Sequence, residues 1–215
     1  MLPDGCIDIV LGYQSGMERP DETVVVGTMT RPLHLGQDES SAYIGVRFWP
    51  GRAYAFLGIP ASEITDLRVD VGAVWGNRIP ELETFDASDT TAVLARFEAL
   101  LLRRAARMPG PNRTVDAAVR AILRAQGNLS IASLAPSLGV TRQYLARAFG
   151  LHVGVPPKTF ARVARVRSVL ARARAATQLN WTALALDAGY CDQAHLAGEV
   201  KELTGRTPGE WADSS

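Results

Sequence analysis

The sequence predicts an α+β fold. A small β-rich N-terminal part with helices precedes an all-α C-terminal part in which a long helix joins two helix-turn-helix units. β-Branched and aromatic residues gather in the first fifty positions, and apolar residues at helical spacing dominate from residue 88 onwards. A helix, a glycine turn and a capped helix occur twice, about fifty residues apart. A repeat within one chain is stronger evidence than either copy alone.

The length and composition are those of a globular protein. With 215 residues, of which 47% are hydrophobic, the chain can form one large domain or two small ones with packed cores. No apolar run reaches the roughly 18 to 20 residues of a membrane span, and no basic segment precedes an apolar one at the N-terminus. We therefore expect a cytoplasmic protein in which Cys6 and Cys191, far apart in the sequence, are free thiols.

Three strands are expected near the N-terminus. Residues 6–11 form an apolar run after the turn signal PDG, residues 23–29 read TVVVGTM, and residues 42–49 read AYIGVRFW ahead of a PG pair. Three strands are few for a closed barrel. We therefore expect a shortened version of a larger β domain.

The following segment is expected to be helical. Residues 52–57 predict a short helix, residues 60–66 a helix start or turn, and residues 67–75 another short segment. The clearest helix of this half covers residues 88–108, where apolar residues fall on one face after a Ser-Asp cap region. It closes the N-terminal part.

The MPGP sequence at 108–111 predicts a domain boundary, which divides the chain into residues 1–108 and 112–215. The net charge also differs between the two sides of this boundary. Residues 111–215 hold 13 Lys/Arg against 7 Asp/Glu, a net charge of +6, whereas residues 1–110 hold 10 against 15, a net charge of −5. A basic half fits a polyanionic partner. A surface charge that only aids solubility is the alternative.

The two helix-turn-helix units cover residues 129–149 and 181–208. In each, a short apolar helix stops at a glycine, and a residue with a capping side chain begins a second helix. The turn glycines and the caps that follow them are Gly139 with Thr141 and Gly189 with Asp192. The second helix of such a unit can enter the major groove of DNA.

Two further helices support these units. Residues 113–126 predict an amphipathic helix before the first unit, and residues 158–174 predict the long connecting helix. The connecting helix carries six cations, with no carboxylate until Asp187: Lys158, Arg162, Arg165, Arg167, Arg172 and Arg174. We expect Lys158, Arg162, Arg165 and Arg172, which recur near one face, to contact DNA phosphates. A solvated linker is the alternative.

The C-terminal hundred residues resemble the AraC/XylS family of bacterial transcription regulators. The resemblance depends on the first unit, on the segment at 154–158, on AGYCDQAHL at 188–196 and on GRTP at 205–208. It implies two recognition helices, at about 141–150 and 192–203, in successive major grooves of double-stranded DNA. RNA polymerase and a small-molecule effector are further partners that it allows. The choice between monomer and homodimer stays open.

Base-reading side chains are expected on the exposed faces of the two recognition helices. Arginine can donate two hydrogen bonds to guanine, glutamine can pair with adenine, and alanine can contact a thymine methyl group. The candidates, some supported by residue chemistry and some by the resemblance, are Arg142, Gln143, Ala146, Arg147, Gln193, Ala194, His195 and Ala197. Thr141 and Tyr144 are expected at the DNA backbone, with local packing as the alternative for Tyr144.

The second recognition helix departs from the family pattern. Gly198 stands where the family often has a long basic or polar side chain, and Val200 stands where an aromatic is usual. A glycine inside a helix costs roughly 1 kcal/mol relative to alanine. We therefore expect weaker base discrimination from the second unit than from the first.

The N-terminal stretches LPDGCIDIV and GVRFWPG resemble the N-terminal domain of one subgroup of AraC-type regulators. In the wider family, such domains are often cupin-like β barrels that sense a small molecule or mediate dimer contacts. Here a partial cupin-like part is expected. Tyr43, Arg47, Trp49 and Tyr54 are candidates for an effector pocket, with a role in the hydrophobic core as the alternative.

Two other classes of function compete. A cupin-type enzyme needs clustered metal ligands, and His34 is the single histidine of the N-terminal half. Cys6 could be a reactive thiol, but Asp4 and Asp8 disfavour its thiolate. We therefore expect no enzyme, no metal and no cofactor. A helix-turn-helix module that binds protein instead of DNA is the third class, which binding to random DNA at two salt concentrations would distinguish.

Overall fold

The computed structural model describes residues 2–14, 20–33, 41–76, 89–107, 109–176 and 178–213. Within these ranges the N-terminal part forms one antiparallel sheet of four strands, β1 (Ile7–Gln14), β2 (Glu22–Val26), β3 (Ser41–Phe48) and β4 (Arg68–Asp70). The strand order is β3-β1-β2-β4. The three strands expected from the sequence are confirmed.

One face of the sheet lies in the hydrophobic core. Ile7, Ile9 and Leu11 of β1 are at most 3% exposed, because alternate residues of a strand point to the same face. Ile9 lies opposite Val25 on one neighbouring strand and Val46 on the other. The opposite face of the sheet carries Asp8 and the other even-numbered positions of β1.

Strand β4 differs from the sequence prediction, which made residues 67–75 part of a helical region. Arg68–Asp70 is extended because it pairs with Val24–Val26 of β2, a partner that a local pattern does not contain. Asp70 then caps the short helix α2 (Val71–Trp75) by accepting from the backbone N–H of Ala73 at 3.2 Å.

The remaining N-terminal helices cover the core face of the sheet. Helix α1 (Tyr54–Leu57) precedes α2, with a short 3-10 turn at Ala61–Ile64 between them, and α3 (Thr90–Ala105) follows. Helix α3 begins after the cap Asp89 and buries the apolar face that the sequence predicts, including Phe97. Ser88 and Met108, the ends of the predicted helix, lie outside the described residues, as does His34.

Within the described residues, the C-terminal part consists of helices and the turns between them. Its helices are α4 (Arg113–Arg124), α5 (Ile131–Ser137), α6 (Arg142–His152), α7 (Pro157–Ala175), α8 (Trp181–Asp187), α9 (Gln193–Thr204) and α10 (Pro208–Asp213). Helix α7 contributes to two hydrophobic cores. Phe160 packs with Phe149 in the core of the first unit, and Val169 packs with Leu196 in the core of the second. The fold class expected from the sequence is confirmed.

The N-terminal part docks on the connection between α6 and α7. The buried Thr28 hydroxyl donates to the carbonyl oxygen of Val153, and Thr65 donates to that of Gly154 at 2.7 Å. The first residues of the chain run beside α7. A Cβ added to Gly5 would lie 2.3 Å from the Phe160 ring.

Asp4, next to Gly5, pairs with Arg167 of α7 at 3.5 Å and with Arg47 of β3 at 3.0 Å. Leu2 packs against the core of the second unit. The N-terminal segment therefore contacts both the sheet and the helical part. None of the helices within the described ranges has the length and hydropathy needed to cross a bilayer.

Candidate nucleic-acid interface

The first helix-turn-helix unit consists of α5 and α6. Its turn contains Gly139 at φ +70°, a left-handed conformation that glycine adopts without strain. The hydroxyl oxygen of Thr141 accepts from the backbone N–H of Tyr144 at 3.1 Å, which satisfies one of the free N–H groups of the first turn. The cap expected at Thr141 is confirmed.

Helix α6 has a buried side and an open side. Leu145 and Phe149 are fully buried in the core of the unit. The candidate base readers on this helix are all exposed: Arg142, Gln143, Ala146 and Arg147. Tyr144 is also exposed, and its hydroxyl receives a long hydrogen bond from Asn112 at 3.4 Å. The open side therefore combines two cations with an amide and a methyl group.

The second unit, α8 and α9, is built in the same way. Gly189 turns the chain at φ +81°, and the Asp192 carboxylate accepts from the backbone N–H of His195 at 2.7 Å. Leu196 and Val200 are fully buried. On the other side of α9, Gln193, Ala194, His195 and Gly198 are exposed and Ala197 is half-buried.

Two of the candidate readers on α9 are held by neighbouring side chains. The Thr182 hydroxyl of α8 donates to Oε1 of Gln193 at 3.0 Å. The His195 ring stands perpendicular to the ring of Tyr190, with centroids 5.2 Å apart. The sequence predicts Gln193 and His195 as base readers but gives no signal for Thr182 or Tyr190, because neither contact follows from the repeat pattern.

A groove of about 1080 Å³ lies between the two units. Helix α6 contributes Arg142 to its lining, and α9 contributes His195. Three of the cations that the sequence placed near one face of the connecting helix also line it: Lys158, Arg162 and Arg165. The structure therefore brings candidates from both recognition helices and from α7 to one groove.

Most of the cations on α7 already have partners within the protein. Arg162 pairs with Glu199 and Glu202 of α9, and Arg172 pairs with Asp187 at 2.8 Å. Glu202 and then Glu199, by hydrogen bonding, raise the pKa of Arg162 above its ordinary value.

Arg165 donates to the carbonyl oxygen of Gly127 at 3.2 Å. By contrast, Lys158 is exposed and has no ion-pair partner within the described part of the chain. The connecting helix is therefore less available to phosphate groups than its sequence alone indicates.

The four candidate effector residues do not line one pocket. Tyr43 and Arg47 lie on the outer face of the sheet and line a groove of about 260 Å³. Trp49 is 59% exposed just beyond β3 and does not line that groove. Tyr54 lies on α1, where its ring packs edge-on against His152 with centroids 5.0 Å apart.

Both cysteines are free, as the sequence predicted. Burial, followed by the charge of Asp4, raises the pKa of the Cys6 thiol to about 12, so this thiol is protonated and unreactive near neutral pH. Among the described residues, no group of three or more His, Cys, Asp and Glu side chains could hold a metal ion.

The chain thus contains two helix-turn-helix units. In each, a helix and a glycine turn precede a capped helix, and both capped helices line one groove. Comparison with known families agrees. Residues 134–214 match the family described as a helix-turn-helix domain, which is of the AraC type. Residues 134–214 are therefore a helix-turn-helix domain of the AraC type, a kind of domain that DNA-binding transcription regulators carry. Residues 1–70 match a domain of unknown function, DUF6597.

Solved structures also resemble the chain. An apo variant of ToxT from Vibrio cholerae strain SCE256 aligns with a TM-score of 0.50 and 12% identity, over 99% of this chain and 90% of that one, and shares its fold. The C-terminal domain of AraT, a response regulator from Geobacillus stearothermophilus, aligns with a TM-score of 0.45 and 22% identity, over 48% of this chain and 87% of that one. None of the curated proteins matches the sequence significantly.

Proposed function

We propose that α6 and α9 enter two successive major grooves on one side of double-stranded DNA. The observation that carries the proposal is the groove between the units, because Arg142 and His195 both line it. The N-terminal turns of the two helices therefore open towards the same space. Those turns are the part of a recognition helix that contacts base edges.

In the first unit, we assign base reading to the exposed side of α6. Arg142 and Arg147 are suited to guanine, and Gln143 is suited to adenine. Ala146 lies among them and can contact a thymine methyl group. None of the four is buried, so their side chains can reach a base edge without unfolding the helix.

In the second unit, Gln193 and His195 are the proposed polar readers, with Ala194 and Ala197 as apolar ones. Because Oε1 of Gln193 accepts from Thr182, we assign its amide N–H groups to the contact with DNA. A donor of this kind can pair with N7 of guanine or adenine, with O6 of guanine or with O4 of thymine. Gly198 adds no side chain, so we propose the steeper sequence discrimination for the first unit.

Backbone contacts are proposed for Thr141, Tyr144 and Lys158. Lys158 is the clearest of them because it is exposed and forms no ion pair within the described residues. Arg172 uses one donor on Asp187 and retains others for a phosphate. Such contacts fix the register of the protein on the duplex without reading its sequence.

We propose that residues 1–108 regulate the DNA-binding part, residues 112–215. The groove on the outer face of the sheet, of about 260 Å³, is slightly below the roughly 300 to 1,000 Å³ of ordinary ligand sites. Its lining combines valines with Tyr43 and with the charged side chains of Asp8, Arg47 and Arg68, which suits a small molecule with an apolar body and polar or charged groups. RNA polymerase is the further partner proposed for the DNA-bound protein.

The proposal is tested by selecting bound fragments from random duplex DNA with the purified full chain, and then by titrating the selected site at several salt concentrations. We expect a defined site with two blocks of preferred bases about one helical turn apart. The logarithm of the binding constant should fall linearly with the logarithm of the salt concentration.

Base-pair substitutions then compare the two blocks. The block read by α6 should lose more affinity per mismatch than the block read by α9, and equal losses would refute the assigned difference between the units. Absence of binding at low salt would overturn the proposed function and leave a protein-binding module as the alternative.

A further inference from the structure

A cluster of four side chains joins the second recognition helix to α7. The Arg162 guanidinium donates from Nε to Glu199 at 2.8 Å and from Nη2 to Glu202 at 2.5 Å. Tyr190, in the turn before α9, donates its hydroxyl to the other carboxylate oxygen of Glu199 at 2.8 Å. We name these residues, Arg162, Tyr190, Glu199 and Glu202, the Arg162 cluster.

The burial of the Arg162 cluster favours a structural use of the arginine. The Glu199 side chain is only 11% exposed and that of Arg162 27%, while Tyr190 is 3% exposed. Moving Arg162 onto a phosphate would leave the nearly buried Glu199 carboxylate without its charge partner, which is strongly unfavourable. The phosphate would also be repelled by the two carboxylates, and a single guanidinium would have to offset that repulsion.

The Arg162 cluster is connected to a proposed base reader. Glu199 lies one turn after His195 on α9, so the two side chains share a face of the helix. The ring of Tyr190, fixed by its bond to Glu199, packs against the ring of His195. The guanidinium of Arg165 lies 5.3 Å from the centroid of the Tyr190 ring. The orientation of His195 therefore depends on groups that Arg162 holds in place.

We infer that Arg162 is a positioning residue for base reading by the second unit, and that it does not contact the DNA backbone. It fixes the rotation of α9 against α7 through Glu199 and Glu202, and it fixes the His195 ring through Glu199 and Tyr190. The inference rests on the proposed function, since it concerns how α9 is presented to DNA. Arg162 thus lines the groove between the two units without neutralising a phosphate there.

The slope of the salt dependence separates the two roles. When the logarithm of the binding constant is plotted against the logarithm of the salt concentration, the line has a negative slope. Removing one phosphate contact makes that slope about 0.9 less steep. For the full-length Arg162→Gln variant on the selected site, we expect an unchanged slope. Lys158→Gln, on the same helix, is the matched variant and should reduce the slope by about 0.9. A reduced slope for Arg162→Gln would overturn the inference.

Base discrimination is the second readout. A single mismatch in a specific site usually lowers affinity about 5- to 150-fold. In Arg162→Gln, mismatches in the block read by α9 should lose most of their effect, while those in the block read by α6 should keep it. A uniform loss of affinity over both blocks would contradict positioning.

Arg162→Lys covers the case in which the glutamine variant does not fold. A lysine keeps the charge that a phosphate needs, but it lacks the planar fork that bridges two carboxylates. We therefore expect Arg162→Lys to lose discrimination in the second block, and retained discrimination there would overturn the inference. Wild-type protein that binds no DNA would instead refute the proposed function, so the two failures are distinguishable.

Discussion

Gly127 is the residue at which the loop after α4 touches the backbone of α7. Its φ is +75°, and a Cβ there would lie 2.1 Å from the carbonyl oxygen of Ala161. We expect Gly127→Ala to lower the free energy of unfolding by about 3 kcal/mol or more, because a left-handed alanine costs about 1 to 2 kcal/mol and the clash displaces α7 as well. Urea denaturation measures the loss.

Gly139 provides the matched control for this substitution. It has a similar φ of +70°, but nothing lies within 4 Å of a Cβ built on it. Gly139→Ala should therefore cost only the backbone strain, about 1 to 2 kcal/mol. Equal losses for the two variants would show that the contact with α7 contributes nothing.

His152 makes stability depend on pH. It is 8% exposed at the end of α6, and burial lowers its pKa below the ordinary value of about 6.5. Above pH 6.5 the folded and unfolded states both hold it neutral. As the pH falls below 6.5, the unfolded state takes up the proton first, so the free energy of unfolding falls until the folded pKa is reached.

Unfolding measured at pH 7.5 and pH 5.5 tests this expectation. His152→Phe keeps a ring beside Tyr54 and cannot be protonated, so its loss of stability between the two pH values should be smaller than that of the wild type. The same loss in both proteins would assign the pH dependence to other groups.

The N-terminal caps of α6 and α9 fix the residues at which the two recognition helices begin. Thr141 and Asp192 each bond a backbone N–H of the first helical turn. Thr141→Ala should lower the free energy of unfolding by about 1 kcal/mol. Thr141→Ser should keep most of the wild-type stability, because the hydroxyl remains. Thermal unfolding compares the three proteins. A serine variant as unstable as the alanine variant would mean that the hydroxyl bond is unimportant.

The helices of the C-terminal part could be predicted from local signals. The connecting helix, expected at residues 158–174, is observed at Pro157–Ala175, because its apolar spacing is contained in the segment itself. Helix α10 was missed, although its start has a local signal. Thr207 and Glu210 form a capping box, in which each side chain bonds the backbone N–H of the other.

The partners of the connecting helix could not be predicted in this way. Arg162 and Glu199 are 37 residues apart, and only the packing of α9 on α7 brings them together. The effector candidates failed to converge for a similar reason. Tyr43 and Tyr54 are aromatic residues only eleven positions apart, but one lies on the outer face of β3 and the other faces His152.

Thr28 links the N-terminal part, which contains the sheet, to the helical C-terminal part. It is 1% exposed, and its hydroxyl donates to the carbonyl oxygen of Val153. Thr28→Val keeps the shape of the side chain but leaves that carbonyl unsatisfied, so the free energy of unfolding should fall by about 1 to 3 kcal/mol. Denaturation of the full chain measures it.

Thr91→Val is the matched control, because Thr91 is exposed on α3. Its effect should stay within about 0.5 kcal/mol of zero, as for most surface substitutions. If the two valine variants are equally stable, the bond to Val153 does not hold the two parts together.

The segment beside α7 bears on how chimeric regulators of this type should be assembled. Asp4 pairs with Arg167 and Gly5 abuts Phe160, so the first residues of the chain match the surface of a helix more than a hundred and fifty positions later. A hybrid spliced at the proline-rich junction after residue 108 would combine these residues with a foreign helix. Transplanting residues 2–5 together with the C-terminal half would preserve the match.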